Sequence, residues 1–294
     1  MIDFVIKNGV LEKYTGNETK VVIPDSVTVI YNETFMGCRS LKEITIPDSV
    51  TVIGEGAFYG CESLEQITIP DSVTEIYDET FSGCKSLKEI TIPDSVTEIG
   101  ERVFMACKSL EEVTIPDSVT VIGEFAFYNC IFLKEITIPD SVKEIGSGAF
   151  IDCKNLADEN GFVIVRDVLY DYLGNAEKVI IPDHVTKIGD FAFEGCKSLK
   201  EITIPAFVTE IGTCAFKCCE SLEKIIIPDS VTVIGDFAFY NCIFLKEITI
   251  PDSVKEIGDK VFSGCEGLVI KVPENSFAQK YAEENGMKFK AINR

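Results

Sequence analysis

Apolar residues return along this chain at fixed positions within a short unit, and the unit then recurs. Over LKEITIPDSVTVIGEGAFYGCES they fall at Leu41, Ile44, Ile46, Val50, Ile53, Ala57, Phe58 and Cys61. Ile44 and Ile46 flank Thr45, the alternation of a half-buried strand. Pro47 cannot donate to a ladder, so the strand ends there. Pro-Asp-Ser predicts a turn: proline fixes φ, and the Asp and Ser side chains accept nearby backbone N–H groups. Val50 and Ile53 predict a second short extended stretch, and Gly54 a tight bend. Ala57 and Phe58 predict an inward-facing helical or turn-like segment, and Cys61 with the next leucine closes the coil.

Pro24, Pro47, Pro70, Pro93, Pro116 and Pro139 keep a 23-residue beat, which resumes in a new phase at Pro182, Pro205, Pro228 and Pro251. Phe35, Phe58, Phe81 and Phe104 follow the same beat, as do Cys38, Cys61, Cys84 and Cys107. Such a period is the signature of a solenoid, in which one coil buries too little to fold alone and stacking supplies the core. Parallel strands lie about 4.8 Å apart, so about eleven coils would make a sheet roughly 50 Å long.

Two segments break the beat in matching ways. FVIKNGVLEKYTGNETKVVIP (4–24) and FVIVRDVLYDYLGNAEKVIIP (162–182) each predict a β-hairpin, turning at Asn8-Gly9 and at Arg166-Asp167. The first can shield an open N-terminal edge; the second interrupts the array. Near the end, Ser276 to Asn285 predicts a helix with Ser276 and Gln279 as a capping box and Gly286 as its stop, and Lys288 to Ile292 a last strand. Together they read as the polar cap an open solenoid needs. The predicted architecture is one α/β, strand-rich solenoid over 1–294. Its parts are a first block with the N-terminal hairpin (1–155), a hairpin insertion (156–181), a second block (182–272) and a C-terminal cap (273–294).

The repeat L-x-x-I-T-I-P-D-S-V-T-x-I-G-x-x-A-F-x-G-C-x-S resembles the leucine-rich repeats of the BspA type over nearly the whole chain. The resemblance implies a right-handed solenoid with a parallel concave sheet and short convex helical or turn segments. It also implies a place on the surfaces of host-associated bacteria or protozoa, where several members are linked to adhesion and host recognition. The N-terminus, MIDFVIKNGVLEKY, carries no basic region, long apolar region or small-residue cleavage site. A cell-surface location is therefore expected from the resemblance and not from a signal peptide.

The chain has 294 residues, 46% of them hydrophobic, which is ample for a core. Length alone suggests about two domains, a prior the repeat overrides. No apolar run approaches the roughly 20 residues of a membrane span. The net charge of −21 argues against nucleic acid and against anionic membranes. It favours a basic partner with salt-dependent association, or simply keeps a long scaffold soluble. The expected partner is an unidentified protein or glycan, bound by a monomer without a cofactor.

Twelve cysteines invite a disulfide or metal reading. Ten of them occupy one repeat position, three residues after the inward phenylalanine, which favours a ladder of reduced, buried thiols donating to turn carbonyls. Only Cys214 and Cys218 leave the register; a local disulfide or metal site is the alternative there, although zinc would lack its usual ligand spacing. Catalytic signals are sparse. The single histidine, His184, takes a turn position usually held by serine, and no nucleotide, zinc-protease or nucleophile-elbow motif occurs. An Asp row, Asp25, Asp48, Asp71, Asp94, Asp117, Asp140, Asp183, Asp229 and Asp252, could hold calcium in some β-solenoids. Turn capping accounts for the same residues, and no metal site is expected.

The candidate surface has two parts. One is an outward threonine stripe, Thr45, Thr68, Thr91, Thr114, Thr137, Thr203 and Thr249, flanked by Lys and Glu and interrupted by Val22, Ile180 and Ile226. The other comes from a duplication: residues 116–146 and 228–258 differ only at Glu124 and Asp236. Both copies carry an apolar set, Phe125, Tyr128, Ile131 and Phe132 in one and Phe237, Tyr240, Ile243 and Phe244 in the other. Each set either marks an interface or fills gaps between coils. The expected function is a non-enzymatic protein- or glycan-binding scaffold. A structural spacer with no ligand of its own is the alternative, and an enzyme using His184 or Cys214 is the third reading.

Overall fold

A computed structural model describes residues 4–293. Contacts divide the chain into two compact units, residues 1–156 and 157–294. Each unit opens on one of the hairpins. Phe4–Lys7 pairs antiparallel with Val10–Tyr14, and Phe162–Val165 with Val168–Tyr172, each pair with one register irregularity. Asn8, Gly9 and Arg166 supply the left-handed backbone at the turns, with φ of 51°, 80° and 57°. The second strand of each hairpin then pairs parallel with the first coil of its unit, at Val29–Ile30 and at Lys187–Ile188.

From there each coil adds one short strand, of two or three residues, to each of two strand rows. In the first unit, Val21, Ile44 and Ile67 are in register along one row, and Ile90, Val113 and Ile136 along its continuation. The other row carries Ile30 and Ile53, then Ile76, Ile99, Ile122 and Ile145. The second unit repeats this with Val179, Ile202 and Ile225, and with Ile188, Ile211, Ile234 and Ile257. Between the rows, Pro-Asp-Ser-Val closes as a β-turn, the Val50 N–H donating to the Pro47 carbonyl at 3.0 Å.

The core is a set of columns. Rings of Phe35, Phe58, Phe81, Phe104, Phe127 and Phe150 stack with centroids 5.3, 5.6, 5.8, 5.3 and 5.4 Å apart. Phe193, Phe216, Phe239 and Phe262 do the same at 5.1, 5.2 and 5.6 Å. Each hairpin caps its column with an aromatic: Tyr14 lies 5.0 Å from Phe35, and Tyr172 lies 5.1 Å from Phe193. The C-terminal segment forms the expected helix and last strand, but only half of the expected capping box: the Ser276 N–H donates to the Pro273 carbonyl, and the Gln279 side chain reaches one residue further back. Ser276 accepts from Gln279 N at 3.1 Å, Gln279 Oε1 accepts from Asn275 N at 2.9 Å, the helix spans Phe277–Glu284, and Phe289–Ile292 pairs with Val269–Pro273.

Three expectations need correction. First, of the helical or turn-like forms expected around Phe58 the turn is found, so the α/β label gives way and the strand-rich parallel-sheet solenoid stands. Among the described residues the only helices are Phe277–Glu284 and the 3-10 turn Lys154–Leu156. The reason lies in where the N–H groups go. Gly56, Phe58 and Gly60 donate to Asp78, Thr80 and Ser82 in the next coil, while Ala57, Tyr59 and Cys61 donate three residues back. Left-handed residues at Gly56 and Gly60, and at Phe125 and Asn129 in a later coil, prevent a helical run. Second, Gly54 is not needed for a left-handed bend. A Cβ there would sit 2.7 Å from Asn32 N, so close approach of the preceding coil selects glycine. Third, the turn serines act between coils: Ser49 Oγ donates to the Val27 carbonyl at 2.7 Å and Ser95 Oγ to Val73 at 2.6 Å.

Candidate interaction surfaces

Strand alternation turns every second side chain of the first row outward. Thr45, Thr68, Thr91, Thr114, Thr137 and Thr203 are exposed. Thr249 is half-buried beside Lys271, which pairs with Glu247. In the first unit the threonine column runs parallel to Glu43, Gln66, Glu89, Glu112 and Glu135. A shallow depression on this face is lined by Glu65, Gln66, Lys88, Glu89, Glu111 and Glu112. Charges on this face pair in both units: Lys20 with Glu43 and Lys42 with Glu65 in the first, and a similar set in the second. Lys178–Glu201 closes at 2.9 Å, Lys224–Glu201 at 3.1 Å and Lys200–Glu177 at 2.9 Å. Hydrogen bonds from Lys42, Lys134 and Lys178 hold the carboxyls of Glu65, Glu111 and Glu201 below their ordinary range. These are surface pairs, screened by solvent, and contribute little to stability. Ile180 and Ile226 stand exposed on either side of Thr203 in the same column.

The two duplicated apolar sets divide by environment. Phe125 and Phe237 are half-buried, in edge contact with Tyr128 and Tyr240 at 6.0 and 5.8 Å. Arg102 lies 5.6 Å from the Phe125 ring, and Lys260 5.7 Å from the Phe237 ring. Phe125 also leans over Gly148 of the next coil, where an added Cβ would meet the ring at 2.4 Å. Ile131 is half-buried, whereas Phe132, Phe244 and Ile243 remain 50%, 55% and 38% exposed.

All twelve cysteines are free thiols. The ladder is built by S–H donation across coils: Cys61 Sγ reaches the Phe35 carbonyl at 3.1 Å, Cys107 reaches Phe81 at 3.1 Å, and Cys219 reaches Phe193 at 3.0 Å. Burial pushes the Cys61 and Cys107 thiols up to about 12, far from a nucleophilic range. Cys214 and Cys218 both occupy left-handed positions, at φ 56° and 59°. His184 is exposed in its turn. Among the described residues, no group of three or more His, Cys, Asp or Glu is placed to hold a metal. No helix among the described residues is long and apolar enough to cross a membrane. Sequence reasoning passed over Phe207, which is 66% exposed where most coils carry the turn serine. The signal was the break from Pro-Asp-Ser to Pro-Ala-Phe at Pro205.

These features define a repeat protein: stacked coils, each exposing the same few positions. The chain belongs to the BspA-type leucine-rich repeat family. The model of the BspA type Leucine rich repeat region matches residues 6–130, 75–160 and 163–285, with six copies. Among solved structures, the chain is similar to a leucine rich cell surface protein of Faecalibacterium prausnitzii A2-165. Identity is 30%, coverage is 95% of this chain and 94% of that chain, and the TM-score is 0.56. It is also similar to the pneumococcal vaccine antigen PcpA, at 25% identity, with 92% and 78% covered and a TM-score of 0.61. A leucine-rich repeat protein of Eubacterium ventriosum ATCC 27560 shares the fold at 24% identity, with 93% and 70% covered and a TM-score of 0.50. No curated protein matches the chain.

Proposed function

We propose that this protein is a non-enzymatic, cell-surface binding scaffold that captures a protein or glycan on its outward strand faces. The observation that carries the reading is the in-register column of Thr91, Thr114 and Thr137 beside Glu89, Glu112 and Glu135. It offers hydroxyl and carboxylate groups at the constant spacing of parallel strands, which suits an extended or repetitive ligand. The likeness to a cell surface protein and to a pneumococcal antigen supports a surface location. The thiols and the lone histidine supply no nucleophile–base pair for catalysis.

The test is a panel of immobilised host matrix proteins and glycans probed with the folded protein and with a Thr91→Arg/Thr114→Arg variant. Binding by the native protein that the double variant loses, with folding intact, is the expected result. Failure of the folded native protein against the whole panel would leave the spacer reading in its place.

A further inference from the structure

Residues 116–146 and 228–258 are one sequence apart from Glu124 and Asp236, but the coils around them do not match. The cysteine ladder fixes which residues neighbour them. Cys130 Sγ donates to Phe104 and Cys153 Sγ to Phe127, each at 3.1 Å; Cys242 and Cys265 donate to Phe216 and Phe239 at 3.1 and 3.0 Å. The residue after each ladder cysteine therefore forms a column. In the first unit that column places Ile131 between Lys108 and Lys154; in the second it places Ile243 between Glu220 and Glu266. The Phe244 N–H donates to the Glu220 carbonyl at 3.3 Å, which ties these coils together at the patch. Two copies of one Phe-Ile pair, with the phenylalanine exposed in both and the isoleucine half-buried at Ile131, thus carry flanks of opposite sign.

One flank charge is already engaged: Glu220 pairs with Lys197 at 3.3 Å, a solvent-exposed contact that docking would exchange for a lysine of the second copy. Of the other charges nearby, Lys134 pairs with Glu111, and Lys246 Nζ lies on the carbonyls of Ile243 and Glu266 at 2.8 and 2.9 Å.

We infer that the two patches recognise each other between molecules: the Phe132 patch of one copy docks on the Phe244 patch of a second copy, with Lys108 and Lys154 facing Glu220 and Glu266. Like-on-like contact is disfavoured, because it sets lysine against lysine or glutamate against glutamate. The flanks are symmetric about each Phe-Ile pair, so the charges match whichever way the coils run. The contact is heterologous and leaves one patch free at each end, so assembly proceeds head to tail. One Phe and one Ile per side fall well short of the roughly 1,200 Å² of a stable interface, so each contact is weak and gains force where copies are crowded on a surface. This departs from the monomer expected from sequence, and it uses residues outside the threonine face.

The test is sedimentation velocity of the full chain over a series reaching roughly millimolar concentration, the range that a contact of this size requires. Ionic strength is held at about 0.15 M, where a Debye length of about 8 Å screens the overall negative charge but not contacting pairs. The native protein should sediment faster with concentration, without a plateau at dimer. Phe132→Ser and Phe244→Ser should each remain monomeric, yet their equimolar mixture should form a dimer and stop there. Lys108→Glu/Lys154→Glu and Glu220→Lys/Glu266→Lys should each lose association at least tenfold and regain it when mixed. The charge-swap pair keeps the test intact if a phenylalanine variant fails to fold. A native protein that stays monomeric throughout, single variants that still self-associate, or mixtures that do not recover would each overturn the proposal.

Discussion

The buried thiol ladder makes alkali a specific denaturant of this fold. Burial raises Cys61 and Cys107 from an ordinary 9.0 to about 12, and it raises Cys84 and Cys130 well above that ordinary value. A group with a raised folded-state pKa stabilises fully below its unfolded value. That stability is lost as the pH climbs toward the folded value, because the unfolded chain releases protons that the folded one keeps. The window here opens near pH 9 and extends to about pH 12. Each thiol with that window removes about 1.4 kcal/mol per pH unit, so Cys61 and Cys107 remove roughly 3 kcal/mol by about pH 10, and Cys84 and Cys130 act in the same direction. That is a large share of the stability of a typical domain, about 5–15 kcal/mol, so the first unit should weaken steeply above about pH 9. The assay is urea unfolding followed by circular dichroism in reductant, repeated from about pH 8 to 11 across the window. A Cys61→Ala/Cys107→Ala variant will be less stable at neutral pH, but its loss by about pH 10 should be smaller by about 3 kcal/mol. Lysines and tyrosines titrate in the same range, and they do so in both proteins. Parallel pH profiles for the two would refute the reasoning, as would ready labelling of folded Cys107 by a thiol reagent near pH 9.

Four further outcomes follow from the columns. Phe81→Ala deletes a fully buried ring that is 5.6 and 5.8 Å from its neighbours, and should cost about 3–5 kcal/mol in urea unfolding. Phe132→Ala should cost under about 1 kcal/mol by the same measurement, because half the side chain already faces water. Phe207→Ser should stabilise the second unit by about 0.5–1 kcal/mol, since a serine there can donate to the Val185 carbonyl as Ser230 does to Val208 at 2.6 Å. Gly148→Ala should destabilise by about 1–2 kcal/mol, because its φ of 63° and the Phe125 ring both oppose a Cβ.

Most of the architecture was legible because the repeat multiplies a weak local signal. Two alternating isoleucines in one coil prove little, but the same pair every 23 residues fixes strand, face and register together. The hairpins at Asn8-Gly9 and Arg166-Asp167 and the Ser276 cap were legible from turn and capping chemistry alone. What escaped depends on neighbouring coils. The segment around Phe58 reads as helical or turn-like from sequence, and its N–H groups turn sideways to Asp78, Thr80 and Ser82, a choice no single coil encodes. Gly54 looked like a bend residue because its partner, Asn32 in the preceding coil, is invisible to local reading. The charge contrast around Phe132 and Phe244 was within reach, since counting one period either way from Ile131 and Ile243 finds Lys108, Lys154, Glu220 and Glu266. In a solenoid the effective neighbour of a residue is the one a full period away, so duplication copies a side chain but not its electrostatic setting. Two identical segments can then evolve opposite partners without changing a residue of their own.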